Sequence, residues 1–303
     1  LQSYTDQLKN HIRPAIGERH LRSINGLALQ AIYAQMLADG LSARTVRYTH
    51  GIIKNALKQA VAWRLLPRNP ANDVELPRHE RQETNVLDEK QARALLAATR
   101  EDRLAALFDL ALSTGMRPGE YMGLRWHDLD LENNRLFVKH SLSRTKKEWS
   151  LTEPKTPQSR RTIPLPKSTT TALTDHKDRQ SQERNDCKDW HEHGLVFTTT
   201  NGEPLERHNF IKRHFIPALK RAELGEWLEE EKKKRFVPGI RLYDLRHTCA
   251  TLLLAGGTNA KVVSERLGHA SIVMTLDTYA HVLPTMQEDA AKKLEKMLYE
   301  NDG

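Results

Sequence analysis

The sequence predicts a mainly α-helical protein in two domains, the second an α+β domain with a small antiparallel sheet. Three observations predict it. Apolar residues recur every three or four positions along most of the 303 residues. One polar stretch, Pro77 to Thr84 (Pro-Arg-His-Glu-Arg-Gln-Glu-Thr), interrupts that pattern and reads as a linker, because few of its side chains suit a core. Short β-prone runs such as Arg135-Leu136-Phe137-Val138 come only after it. The expected bounds are a helical domain over 1–78, a linker over 79–85 and a second domain over 86–303.

In the first domain, Leu1, Tyr4, Leu8 and Ile12 mark a helix that Pro14 and Gly17 should stop. Leu29, Ile32, Met36 and Leu37 mark a second, ended by Gly40. Ser42 caps a long third, with Val46, Ile53, Leu57, Ala60 and Val61 facing inward. Its outer face carries Arg44, Arg47, Lys54 and Lys58, which suit phosphate contact near a positive helix end.

In the second domain, Asp88 caps a helix to Thr99 and another runs from about Asp102 to Ser113. Thr114-Gly115 breaks it and presents Arg117. Asp128, Asp130 and Glu132 alternate before the strand at 135–138. They read as turn and strand-edge residues rather than cation ligands, since no second carboxylate cluster accompanies them. Strands near 150–153 and 160–163 should form a hairpin around Lys155. Cys187, His191 and His193 lack an ordered fourth zinc ligand and read as a surface loop. Leu195–Thr198 reads as a strand, Arg207 to Arg221 as a basic helix, and Glu226–Arg235 as a solvated helix. Leu242, Leu245, Cys249 and Leu253 then share a helix face, with Arg246 emerging beside the core. Gly268 ends the following helix in a left-handed cap that swings His269 inward. Ser271 caps the next, with Ile272, Leu276 and Tyr279 on one face, and Pro284 stops it. A tail helix over 285–300 carries the stripe Met286, Ala290, Leu294, Met297 and Leu298.

Composition narrows the partners. The chain has 47 basic and 39 acidic residues, and residues 1–80 hold 11 and 6 of them. The smaller domain is therefore the more basic per residue, as a polyanion grip would be. Two distant cysteines argue against a disulfide scaffold and fit a reducing cytoplasm. No apolar run approaches a membrane span, Leu104 to Phe108 being broken by Asp109, and no signal peptide is visible. The chain starts at Leu1 inside a helical pattern, which reads as a trimmed start.

The chemistry-bearing residues are an arginine, a histidine and a tyrosine in chain order. They suit a phosphodiester. Tyr279 can attack phosphorus, Arg246 can pair two phosphate oxygens, and His269 can donate a hydrogen bond or move a proton. Arg117 in Thr-Gly-Met-Arg-Pro-Gly-Glu and Lys155 in Pro-Lys-Thr-Pro-Gln-Ser-Arg-Arg add two cations. In this order the five segments resemble the tyrosine recombinase (phage integrase) family, whose pattern is Arg, Lys, His-x-x-Arg, His or Trp, then Tyr. The likeness extends to phage and conjugative-transposon integrases and runs over the whole chain. Leu41-Ser42-Ala43-Arg44-Thr45-Val46-Arg47-Tyr48 resembles their helical, SAM-like core-binding domain.

The resemblance implies site-specific DNA cleavage and rejoining through a 3′-phosphotyrosyl link, with no cofactor and no metal. Arg117, Lys155, Tyr243, Arg246, His269 and Tyr279 would be catalytic and Glu120 would brace the arginines. Arg44, Arg47, Lys54, Lys58, Arg160, Arg161, Arg207, Lys212 and Arg213 would meet DNA. Implied partners are double-stranded recombination sites, further copies in a tetramer, and a directionality factor of the excisionase type, in a nucleoid-associated cytoplasmic protein. Relatives also carry an arm-binding domain ahead of this region. Tyr243 departs from the pattern, which has histidine there. A phenol accepts protons poorly at neutral pH, so His269 is expected to carry more of that work. Two other readings share these residues, a type IB topoisomerase and a DNA-binding protein with an impaired site.

Overall fold

The structure, a computed structural model, describes residues 2–78, 85–144, 148–153, 159–230, 233–279, 291, 294–295 and 297–299. The chain forms two compact units, Leu1–Glu83 and Thr84–Gly303.

In the first unit, α1 (Gln2–Gln7), a π turn (Leu8–Ile12) and α2 (Arg13–Ile16) run on as one helical stretch. Pro14 therefore does not stop the helix. It enters where the register returns from the wider turn, so its missing N–H costs no bond. Asn25 caps α3 (Gly26–Ala38) by accepting from the Ala28 N–H at 2.8 Å. Ser42 caps α4 (Ala43–Ala62) by accepting from the Thr45 N–H at 3.2 Å. Leu29, Tyr33, Met36, Val46, Ile53 and Leu57 make the core between them.

The second unit opens with α5 (Glu89–Ala98), whose Asp88 and Gln91 cap each other's backbone. The mostly apolar α6 (Ala105–Thr114) runs through the core, and α7 (Pro118–Met122) follows. β1 (Leu129–Asp130), β2 (Arg135–Val138) and a later strand form an antiparallel sheet. β3 (Ser141–Arg144) pairs with β4 (Trp149–Thr152), and the later strand is β5 (Arg161–Pro164). The strands flanking Lys155 thus belong to two different sheets and do not form a hairpin with each other. Buried Leu136 sits opposite buried Ile163, and that contact selects β2 as the partner of β5.

α8 (Lys167–Asp186) lies against α6. Leu195–Thr198 makes only isolated bridges, Arg125 to Leu195 and Thr198 to Pro204, so no strand forms there. α9 (Arg207–Phe210), a π turn (Ile211–Phe215) and α10 (Ile216–Arg221) give the basic helical stretch. The charged run after it is a hairpin, β6 (Gly225–Glu230) with β7 (Lys233–Pro238), where a helix was expected. Trp227 faces Phe236 in register, Glu229 pairs with Lys234 at 3.1 Å, and Lys220 covers both rings. Opposite charges and aromatics fall across strands here, and such pairs outweigh weak helix propensity. The site helices are α11 (Asp244–Ala255), α12 (Ala260–Leu267) and α13 (Ile272–Tyr279).

Among the described tail residues, Leu294, Met297, Leu298 and Tyr299 are exposed. Pro284, Met286, Ala290 and most of the expected linker lie outside the described residues.

Candidate active site

Two left-handed glycines shape the site. Gly115 ends α6 with φ 65°, and a Cβ there would stand 2.7 Å from Leu267 Cδ2 and 3.3 Å from Cys249 Sγ. Only a glycine brings this turn so close to α11 and α12. The turn aims its carbonyl at Arg246, whose Nη1 donates to Gly115 O at 2.8 Å. The other arm, Nη2, donates to Leu267 O at the end of α12, also at 2.8 Å. Arg246 is only 2% exposed. It was expected beside the core and instead lies within it, because helix-end carbonyls from two remote segments satisfy its fork. Among the described residues no carboxylate bonds it. Burial, then the neighbouring Arg117 charge, push its pKa down to about 10, so it stays charged at neutral pH.

Arg117 stands on the same turn, just before α7. Its N–H donates to Glu120 Oε2 at 2.9 Å, Nη1 to Oε1 at 2.8 Å, and Nη2 reaches the Gly268 carbonyl at 3.5 Å. Glu120 also receives Arg161 Nη2 at 2.9 Å. Burial pushes the Glu120 carboxyl up. Arg161, by charge and hydrogen bond, and then Arg117 more than offset this and hold it below the ordinary range. Arg161 Nε donates to the Arg266 carbonyl at 2.6 Å, and its side chain is 7% exposed. It braces Glu120 from a buried position rather than standing on an open surface. Arg266 Nη2 in turn donates to the Ser113 carbonyl at 2.7 Å.

Gly268, φ 67°, turns the chain so that His269 follows α12 inward. Its Nδ1 bonds Thr275 Oγ1 at 2.7 Å. Burial, then the charges of Arg246, Arg117 and Arg161, push its pKa down to about 4, so the ring is neutral at pH 7.

Ser271 accepts from the Val273 N–H at 3.2 Å and starts α13. The buried face of α13 is Thr275 and Tyr279; Leu276, expected there, is exposed, because Thr275 faces inward to meet His269. Tyr279 is 2% exposed and its hydroxyl lies 2.8 Å from His247 Nδ1. Burial raises its pKa, the Arg246 charge lowers it, and the net direction is up. Tyr243 is half-buried, its ring 5.3 Å from that of His247.

Residues 85–286 match the profile of the phage integrase family. The chain belongs to that family. A "Tyrosine recombinase XerC-like" protein of Caldanaerobacter subterraneus subsp. tengcongensis is 29% identical over 97% of this chain and 77% of its own. The "ICEBs1 integrase" of Bacillus subtilis is 24% identical over 97% and 76%. Among solved structures, the Tn1549 transposon integrase in complex with a circular intermediate DNA superposes with a TM-score of 0.73. It is 22% identical and covers 95% of this chain and 98% of its own. A lambda integrase dimer bound to a COC′ core site gives 0.64 at 19% identity over 92% and 71%. The fold is that of these integrases.

Of the other residues singled out, Lys155 lies outside the described residues. Arg160 is exposed and pairs with Glu153, while Arg207, Lys212 and Arg213 are exposed on the basic helical stretch. Asp128 is buried against Lys139 at 2.9 Å and Asp130 turns to Asn133, so the two carboxylates do not converge. His191 and His193 flank Glu203. Sequence reasoning passed over His247 and Arg266. His247 had a signal: it lies four residues after Tyr243, on the same helix face.

Proposed function

We propose that this chain is a site-specific DNA recombinase that cleaves and rejoins DNA through a 3′-phosphotyrosyl link, integrating or excising a mobile element. The observation that carries it is the convergence of Arg117, Arg246 and His269 beside a tyrosine at the end of α13. Phosphoryl transfer asks mainly for positioning and charge stabilisation, and two fixed guanidiniums provide both.

Arg117 and Arg246 hold the non-bridging oxygens as charge develops. Neutral His269, its Nδ1 held by Thr275, would in the Nε2–H tautomer offer that N–H to the same phosphate and work as a donor rather than a base. Tyr279 attacks phosphorus, the 3′ link forms, and the 5′ oxygen leaves with a proton from Lys155. The link retains the energy of the broken ester, and no metal or nucleotide enters the scheme. Tyr243 borders the nucleophile and positions its surroundings.

Residues 1–78 would be the core-binding domain, with Arg44, Arg47, Lys54 and Lys58 on phosphates, and 79–85 the linker to the catalytic domain. Arg207, Lys212 and Arg213 would add contacts from the second domain. Assembly on DNA as a tetramer draws support from the lambda integrase tetramer bound to a Holliday junction, a solved relative. The exposed apolar tail residues Leu294, Met297 and Leu298 are suited to cover a neighbouring copy. An excisionase-type directionality factor and residence on the nucleoid complete the reading.

The test is Tyr279→Phe. It should bind recombination-site DNA as the parent does and form no adduct that survives denaturant. A surviving adduct removes Tyr279 as the nucleophile.

A further inference from the structure

The proton on the nucleophile needs a destination, and the groups that resemblance offers do not provide one. Tyr243 is a phenol. His269 has its Nδ1 engaged by Thr275 and faces three guanidiniums. The tyrosine hydroxyl instead meets a different imidazole, His247 Nδ1, at 2.8 Å. That ring stands between two tyrosines, its centroid 5.3 Å from Tyr243 and 5.7 Å from Tyr279, at interplanar angles of 59° and 55°. Tyr279 sits on the buried face of α13 and His247 is half-buried on α11, so the pair joins two helices of the site.

From this geometry we propose that His247 is a further catalytic residue, the acceptor of the Tyr279 proton in cleavage and its donor in rejoining. The inference rests on the recombinase reading above. In cleavage the Tyr279 O–H bond breaks and the proton passes to His247 Nδ1, giving an imidazolium. The phenolic oxygen bonds phosphorus as the bond from phosphorus to the 5′ oxygen breaks, and that oxygen takes a proton from Lys155. Rejoining runs the same steps backward, and the departing phenolate recovers its proton from His247.

The groups facing His247 set when this happens. They are Tyr279 from α13, His269 after α12, and Arg241, Tyr243, Asp244 and Arg246 from its own helix and approach. Burial lowers the His247 pKa, Asp244 raises it, and Arg246 and Arg241 lower it again, with a net downward direction. The Tyr279 pKa moves the opposite way. At rest the proton therefore stays on the phenol and the nucleophile is off. An incoming phosphate favours the imidazolium and disfavours a free phenolate, so the proton passes to His247 as the phenolic oxygen bonds phosphorus.

Two measurements on the full chain test this. In the free protein, nitrogen-15 spectra should show His247 as the Nε2–H tautomer with an unprotonated Nδ1, and Tyr279→Phe should move that Nδ1 signal. A Nδ1–H tautomer overturns the proposal, since that nitrogen then cannot accept. The second is single-turnover cleavage of a nicked suicide duplex between about pH 5.5 and 9. Its core sequence comes from covalent capture by the parent protein out of a random-core duplex library. His247→Ala should bind the duplex normally, cleave about a hundredfold more slowly or worse, and lose the acid limb of the rate profile, with added imidazole restoring part of the rate. Parental rate and acid limb in His247→Ala, while Tyr279→Phe stays inert, overturn this inference and leave the recombinase reading standing. An adduct in Tyr279→Phe overturns that reading instead.

Discussion

The outer face of α4 and the cluster around Glu120 are both made of cations, and they behave as opposites. Arg44, Arg47, Lys54 and Lys58 are exposed, and of these Arg47 bonds the Pro77 carbonyl at 3.0 Å. Arg246, Arg161 and Glu120 are almost wholly buried and every arm of the arginines that the structure records is spent on a named oxygen. On the proposed reading the first set would tolerate change and tune affinity for a polyanion. The second is structure and chemistry at once, because a buried charge stripped of its partners is costly.

The largest effect should come from Arg246→Ala. On the proposed reading it removes a phosphate ligand, and it leaves the Gly115 and Leu267 carbonyls without their donor. Denaturant unfolding should show a loss of about 2–4 kcal/mol, and single-turnover cleavage should fall at least a hundredfold. Near-normal stability would mean that the buried arginine is not part of the core.

Glu120→Gln comes next. It leaves Arg161 buried with a neutral partner, and a loss of about 2–4 kcal/mol is expected at pH 7. The direction with pH follows from the depressed carboxyl. The unfolded chain takes up the proton first, so the stabilisation is present above the ordinary value of 4.5 and lost as pH falls through the lower folded value. Denaturant melts at low pH should show the parent approaching the variant. A gap independent of pH would sink the pairing.

A smaller effect belongs to His269. Between its ordinary 6.5 and its folded value of about 4, the unfolded chain binds a proton that the folded chain refuses. Stability should therefore drop as pH falls through that window, and His269→Gln should flatten part of the slope of melting temperature against pH. An unchanged slope would place the ring in an ordinary environment.

Smallest of all, Arg44→Ala or Lys54→Ala should alter stability by no more than about 0.5 kcal/mol. Each should reduce the salt slope of DNA binding by about one phosphate contact. A large stability loss here, with DNA binding intact, would erase the contrast between the two regions.

The same contrast explains what could be read in the sequence. Local signals survived folding. Ser42 and Asp88 cap their helices because a short polar side chain before an apolar repeat reaches the nearest free N–H. Gly115 and Gly268 turn left-handed at helix ends for an equally local reason. The burial of Arg161 was not legible because it is decided by Glu120, 41 residues away, and by the Arg266 carbonyl, 105 residues away. Its neighbour Arg160 is exposed, and nothing in the dipeptide distinguishes the two. The β6–β7 hairpin was missed because charges at short spacing satisfy helical and cross-strand pairing alike, and Trp227 against Phe236 decides between them. The pairing of His247 was not legible because its partner, Tyr279, lies 32 residues on and nothing local marks the pair.

Arg246 is held by carbonyls, which orient a guanidinium without cancelling its charge. Burial lowers the pKa of Arg246, and the charge of Arg117 across the site lowers it further. The folded chain therefore carries a standing electrostatic debt until an anion arrives. A scissile phosphate would in this sense act as a counter-ion to the catalytic unit, and DNA should tighten the enzyme as much as the enzyme grips DNA.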